Sequence, residues 1–227
     1  MKIPCTALTG TSNSGKSPLG RIIESKSTHH GPRVVHLDFG ECLRKAAVSP
    51  EIFRLTADEH RYVQSVLDGT LFDDAHFSTA ARIIRGYMDQ RKFQEKSDIL
   101  LLNGIPRRLG QAQSLTAEGF EVGMVIQLDC DTATAMRRYE LARVGKGHEN
   151  RSDRNDNNPE TIRRKLKSYL HDTEPVLQWY QDRGTPILGV RISETTTPKE
   201  AYDLIAKELW ITIGDLNPAR PSDNNKL

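Results

Sequence analysis

A chain of 227 residues is long enough for one real core and too short for several, so a single domain with small insertions is expected. Its 37% hydrophobic and 27% charged residues exclude global disorder, and a formal net charge of +2 excludes a broad basic field of the kind that grips nucleic acid. Cys5, Cys42 and Cys130 lack CxxC spacing, which argues against a zinc ribbon or disulfide framework and fits a reducing compartment.

The chain opens on "MKIPCTALTG", an apolar run over 2–10 with no long leader-like stretch, and nowhere do roughly 18 apolar residues run together. A cytoplasmic protein with no membrane partner and no nucleic-acid partner is the expectation. The run ends in "GTSNSGKS": Gly10, Thr11, Ser12, Asn13, Ser14, Gly15, Lys16 and Ser17 satisfy G-x-x-x-x-G-K-[ST] after a strand and before a helix. Glycines let the backbone curl so that successive N–H groups point at one phosphate chain. Lys16 adds a mobile cation, and Ser17 offers a hydroxyl to magnesium. Pro18 is tolerated in the first helical turn, where its missing N–H has no helical acceptor anyway. The pattern reads as a nucleotide-binding P-loop and by itself leaves kinases, GTPases, ATPases and sulphonucleotide enzymes open. The base-reading Asn/Thr-Lys-x-Asp of GTPases is not found in "LDCDTATA" after the fourth apolar run.

Four further apolar, β-branched runs follow at 33–39, 98–104, 122–129 and 185–192, separated by helical patterns. That alternation predicts an α/β, three-layer P-loop NTPase fold around a five-stranded parallel sheet, its strands buried on both faces. About sixty residues separate the second and third runs, more than one crossover helix needs, so a helical insertion is expected at 41–90. Within it "TADEHRYVQSVLDG" starts with a capping box, Thr56 and Glu59, and Gly69 is expected to close the helix. The third run leads into "NGIPRRLGQAQ" (103–113), which places cations and amides at the carboxyl end of a buried strand, where ligands of open α/β sheets collect. Such a cluster fits an anion that carries a flat polar group. The polar segment 144–158 reads as a surface loop, ending where Asn158 caps and Pro159 begins a long helix. The expected division is a core of 1–40, 91–143 and 159–213, the insertion 41–90, a short lid 144–158 and a frayed tail 214–227.

Several segments, in one order, resemble the adenylate kinase family of nucleoside monophosphate kinases. "DFGECLR" (38–44) is similar to that family's Ser-Thr-Gly-Asp-x-x-Arg, "LDGTLF" (67–72) to its Gly-x-Leu-Val turn, and "NGIPRRLGQA" (103–112) to its Asp-Gly-Phe-Pro-Arg-x-x-x-Gln-Ala. "RNDNNPETIRRKL" (154–166) and "TEPVLQWYQDRG" (173–184) resemble the family's lid exit and the end of its long helix.

The resemblance implies transfer of the γ-phosphoryl group of MgATP to a nucleoside monophosphate, AMP in the first place, by a monomer. A UMP/CMP kinase is the alternative of the same class, and a nucleotide-binding module with impaired catalysis the alternative of another. It implies ATP binding by residues 10–17 with Arg138 and Arg143, and acceptor binding by Phe39, Gly40, Arg44, Thr70, Leu71, Phe72, Gly104, Arg107, Gln111, Arg154 and Lys165. Arg44 and Arg107 would hold the acceptor phosphate, for which a guanidinium fork is suited. Gln111 would read the base, and Arg138, Arg154 and Lys165 would join Lys16 and Arg107 around the moving group, whose charge phosphoryl transfer must surround with cations. Magnesium would be held by Ser17, with Glu41 and Asn103 acting through water. The chain departs from the pattern at four of these positions. Asn103 replaces the acid that would hold the magnesium through its waters, and Glu41 replaces Asp, with Asp38 close by in sequence. Phe39 replaces a small hydroxyl residue, and Lys165 replaces arginine.

Overall fold

Ile99–Asn103 is buried at every position, which requires a strand covered on both faces. The computed structural model describes residues 2–67, 70, 72–147 and 158–216. In it β1 (Ile3–Gly10), β2 (Val34–Asp38), β3 (Ile99–Asn103), β4 (Phe120–Asp129) and β5 (Ile187–Arg191) form one sheet in the order β2-β3-β1-β4-β5. Every pairing is parallel. The helices are α1 (Lys16–Ser27), α2 (Phe39–Val48), α3 (Ala57–Ser65), α4 (Phe77–Gln90), α5 (Leu109–Ala117), α6 (Thr132–Arg143), α7 (Pro159–Ser168), α8 (Glu174–Asp182) and α9 (Pro198–Asp215). Short 3₁₀ turns at Pro50–Phe53 and Asp74–His76 join the helices between β2 and β3. This is the α/β P-loop NTPase-like architecture expected, with helices on both faces.

Side-chain parity divides the core. Cys5, Val35, Leu37, Leu100 and Leu102 pack beneath the helices of the β2–β3 connection, together with Phe53, Ile83 and Ile84. Leu8, Val34, Ile99, Leu101 and Ile126 face the other way, against Leu19 and Ile23 of α1 and Ile205 and Leu209 of α9. Because strand side chains alternate, His36 and Asp38 share the face of Val34, and Asn103 that of Leu101. The register sets Asp38 beside Asn103 and His36 beside Leu101, all four on the α1 side.

Two local expectations are corrected, and a third element is found with a π turn inside it. Helix α3 stops at Ser65 rather than running toward Gly69: the Val66 N–H takes the carbonyl of Val63, three residues back, tightening and ending the last turn. Gly69 itself lies outside the described residues. The long helix after Pro159 is continuous to Asp182 but passes through a π turn at Tyr169–Thr173. Pro175 cannot donate to residue 171, and the Glu174 N–H reaches five residues back to Tyr169 O. The tail expected from 214 starts later, since Gly214 and Asp215 belong to α9 and Leu216 packs on the α9 side of the core and seats against Gly123; residues 217–227 lie outside the described residues.

Gly20 of α1 lies directly on the His36 ring. A Cβ there would come within 2.3 Å of the imidazole, which is itself buried at 5% exposure. In an open helix Gly→Ala stabilises by roughly 0.5–1 kcal/mol, but overpacking a filled site costs about 1–3 kcal/mol. Gly20→Ala is therefore expected to lower the melting temperature by roughly 2–10 °C for a chain of this size. An unchanged or raised Tm in a thermal melt would contradict the packing described.

Candidate functional site

The turn after β1 is built to wrap an anion. Gly10 leaves the strand at φ 148, and a Cβ there would come within 2.8 Å of Leu128 O and Ser14 Oγ. Asn13 (φ 67) and Gly15 (φ 99) complete the left-handed curl, with Gly15 as the N-cap of α1. Ser14 Oγ donates to Thr11 O at 2.9 Å, and Thr11 Oγ1 donates to Cys130 O at 3.2 Å, so the loop is tied to itself and to the end of β4. No acidic residue lies in the first turn of α1. Its unused N–H groups and the positive end of its dipole therefore face the loop's hollow. Lys16 Nζ donates to Gly10 O (2.9 Å) and Thr11 O (2.6 Å), lying across the mouth of the loop.

A cleft opens from this loop across the carboxyl ends of β2 and β3. Ser12, Asn13, Gly15, Lys16 and Ser17 line one wall; Phe39, Gly40, Arg44, Thr70 and Phe72 another; Asn103, Gly104, Arg107, Gln111 and Lys165 the floor and far side. Most residues expected to meet either nucleotide thus share one cavity. Leu71 and Arg154 lie outside the described residues. Arg143 is exposed at the end of α6 and lines neither this cleft nor the second one beside it, and Glu41 is exposed in α2 outside the cleft lining.

Two members have duties the sequence did not reveal. Gln111 is 2% exposed; its Oε1 accepts from the Arg107 N–H (2.8 Å) and its Nε2 donates to Phe72 O (2.6 Å). The amide fastens the Phe72 wall to the turn that carries Arg107, using one lone pair and one N–H and leaving one of each by its own valence. Arg138 borders the second cavity, on the outer side of the P-loop with Pro18, Leu141 and Ala142. Its Nε donates to Asn13 O (2.9 Å) and its Nη1 to Ser193 O (2.8 Å) and Thr196 O (2.9 Å). In this geometry the guanidinium braces the P-loop against the loop before α9. Burial pulls its pKa below the ordinary arginine value, with Cys130 opposing.

Arg107 is desolvated in the same way: burial lowers its pKa, while Asp172 and Tyr169 work in the opposite direction. Its carbonyl accepts from Thr173 Oγ1 at 3.1 Å, which ties the turn after β3 to the π segment. At the foot of the P-loop Ser17 Oγ donates to Asp38 Oδ2. Asn103 Nδ2 lies 3.1 Å from both of those oxygens and 3.3 Å from His36 Nε2. His36 is held below its usual pKa by burial, against Asp38 and Glu24. His36 is the residue that sequence reasoning passed over; the alternation of β2, which places 36 and 38 on one face, was the available signal.

No family model matches the chain. The adenylate kinase of Phenylobacterium zucineum (strain HLK1) is 28% identical over 176 residues, covering 75% of this chain and 83% of that protein. Those of Xanthomonas campestris pv. campestris (strain 8004) and Xylella fastidiosa (strain M12) are each 28% identical over 78% of this chain and 85% of the relative. The chain is similar to the adenylate kinases. The similarity extends over most of the relatives' own length, so it is more than a shared phosphate loop.

The bracing geometry of Arg138 makes a prediction of its own. Arg138→Ala removes a buried guanidinium and its bonds to Asn13, Ser193 and Thr196 and is expected to cost about 1–3 kcal/mol. Arg143→Ala, on the exposed end of the same helix, should stay within about 0.5 kcal/mol. Thermal melts of the nucleotide-free protein compare the two, and equal stabilities would refute the brace.

Proposed function

We propose that the protein is an ATP-dependent nucleoside monophosphate kinase, with AMP as its acceptor: ATP + AMP giving two ADP. The observation that carries this reading is the single cleft in which a P-loop faces Arg44, Arg107 and Lys165. An enzyme that moves a phosphoryl group between two nucleotides needs a polyphosphate cradle and a second phosphate grip on opposite walls, close enough for in-line attack. The likeness to adenylate kinases over three quarters of the chain supports the same reading.

In this mechanism the N–H groups of 10–17 and the start of α1 hold the β- and γ-phosphates, and Lys16 exchanges its two carbonyls for phosphate oxygens. Arg107 and Arg44 fix the acceptor phosphate. The desolvation of Arg107 strengthens that interaction, since charges attract more strongly where water is excluded. Lys165 adds charge at the transferring group, and Arg154 from the segment 144–158 would complete the ring. We assign 41–90 to covering the acceptor and 144–158 to closing over the donor, so that water does not take the phosphoryl group. Magnesium fits the donor set at the loop's foot, a serine hydroxyl among hard oxygen donors, and Ser17 would hold it. When bound, the ion neutralises phosphate charge. A cytoplasmic monomer completes the reading; the three cysteines are buried and unpaired, as a reducing compartment allows.

A pyrimidine acceptor is the second reading. Phe39 and Phe72 meet edge to face at 5.6 Å on the acceptor wall, and Gln111 already serves two backbone groups. An aromatic wall receives any base by its face, whereas a partly engaged amide has less left for a purine edge.

A coupled assay offering AMP, CMP, UMP and GMP with MgATP decides between them. The expected result is transfer to AMP; ATP binding without transfer to any acceptor would leave only a nucleotide-binding module. Lys16→Ala should lower kcat by roughly 10³-fold, and chelation of magnesium should abolish turnover. Arg107→Ala should raise the acceptor's KM and lower kcat together, and a fully active Arg107→Ala enzyme would contradict its assignment.

A further inference from the structure

Resting on the kinase reading, we propose that Asp38 is the carboxylate that serves the nucleotide's magnesium ion, and that Asn103 holds it in place. The acid has moved one strand across the sheet. β2 and β3 are parallel neighbours with Asp38 in register with Asn103, both on the α1 face at the carboxyl edge. Adjacent strands lie about 4.8 Å apart, so an acid transferred from position 103 to position 38 still faces the first turn of α1. Asp38 lines the cleft there and accepts a hydrogen bond from Ser17 Oγ.

The substitution at 103 follows from the acid at 38. Asn103 Nδ2 is 3.1 Å from Asp38 Oδ2. A second carboxylate at that distance would repel the first, whereas an amide N–H stabilises the ionised form. Asparagine at 103 is therefore the complement of aspartate at 38 rather than the loss of a charge.

The two oxygens of Asp38 are divided between tasks. Oδ1 accepts the Glu41 N–H at 3.1 Å and caps α2, which fixes the carboxylate's orientation. Oδ2 is turned to Ser17. Glu41, the other acid on this helix, is exposed and outside the cleft lining. Among the described residues no group of three or more His, Cys, Asp or Glu gathers around a common point. One hydroxyl and one carboxylate, with the remaining positions left to phosphate oxygens and water, is the ligand supply magnesium ordinarily uses. A carboxylate placed only for structure, capping α2 through Oδ1 and accepting from Ser17 and Asn103 through Oδ2, would matter to folding and not to metal affinity, and asparagine preserves the cap about equally.

That equivalence provides the test. Mn²⁺, a paramagnetic stand-in for magnesium, is titrated into the full chain with a non-hydrolysable ATP analogue, and free ion is read by electron paramagnetic resonance. Asp38→Asn keeps the cap and removes the charge. It is expected to weaken Mn²⁺ binding by at least about tenfold while the analogue still binds; a melt reads separately the Tm lost with the Oδ2 acceptor of Ser17 and Asn103. The exchange Asp38→Asn with Asn103→Asp returns a carboxylate to the neighbouring strand and is expected to recover most of the affinity. Unchanged Mn²⁺ affinity in Asp38→Asn would overturn the assignment, as would an equal loss in Glu41→Gln. A wild-type chain that binds no ATP analogue at all would remove the kinase reading and this inference with it, a result distinct from the loss of metal affinity alone.

Discussion

The register between β2 and β3 is the constraint on which the site depends. It sets residues 38 and 103 side by side beneath the first turn of α1, and the helix can approach them closely because Gly20 has no side chain to hold it away from His36. Around that contact Ser17, Asp38, Asn103 and His36 form one hydrogen-bonded group in a largely buried setting. In such a setting each partner is needed, since a donor or acceptor left alone away from water costs more than a single bond contributes. A one-residue slip of β2 would turn Asp38 to the opposite face, beneath the helices of the β2–β3 connection, and leave Ser17 facing an apolar side chain.

The walls of the cleft are held by groups that do not themselves need to touch a ligand. Gln111 links the Arg107 turn to Phe72, and the Thr173 hydroxyl donates to the carbonyl of Arg107. Arg138 fastens Asn13 to the loop before α9. Tyr62 stacks on His76, meets Phe72 edge to face, and donates no freedom to the turn because its hydroxyl accepts the Asp73 N–H. Phosphate groups are gripped well only by donors that already stand in position, so these ties contribute to binding through the ordering they remove from it.

The fold was largely legible because its signals are local. Five apolar runs, glycines at 10 and 15, capping residues at Thr56 and Asn158 and a proline at 159 act within a turn of where they stand. The location of the site was legible for the same reason, since a P-loop after a strand fixes its own surroundings. What could not be read was the division of labour among polar side chains. Gln111 and Arg138 look the same in sequence whether they face a ligand or a backbone carbonyl. The choice depends on Phe72, Ser193 and Thr196, which lie 39, 55 and 58 residues away. Asn103 read as a missing charge because its partner at 38 is a neighbour in the sheet and distant in the chain. The π turn and the helical end at Asp215 were hidden likewise, the first in a ladder widened by Pro175 and the second in the packing of Leu216.

Charge completes the relation between fold and site. With a net charge of +2 the chain has no global field to draw in polyphosphate, so attraction has to come from Lys16, Arg44, Arg107 and Lys165 gathered in one cleft. Gathering them has a cost, because cations close together in a partly dry cavity repel and lose hydration. For two of the four the structure shows what offsets that cost. Lys16 rests on the carbonyls of Gly10 and Thr11, and Asp172 opposes the desolvation of Arg107 from the neighbouring helical segment. Carbonyl dipoles are weaker partners than phosphate oxygens, so a triphosphate can displace them. Under the kinase reading, that exchange of carbonyl for phosphate oxygens is what readies Lys16 for the donor nucleotide.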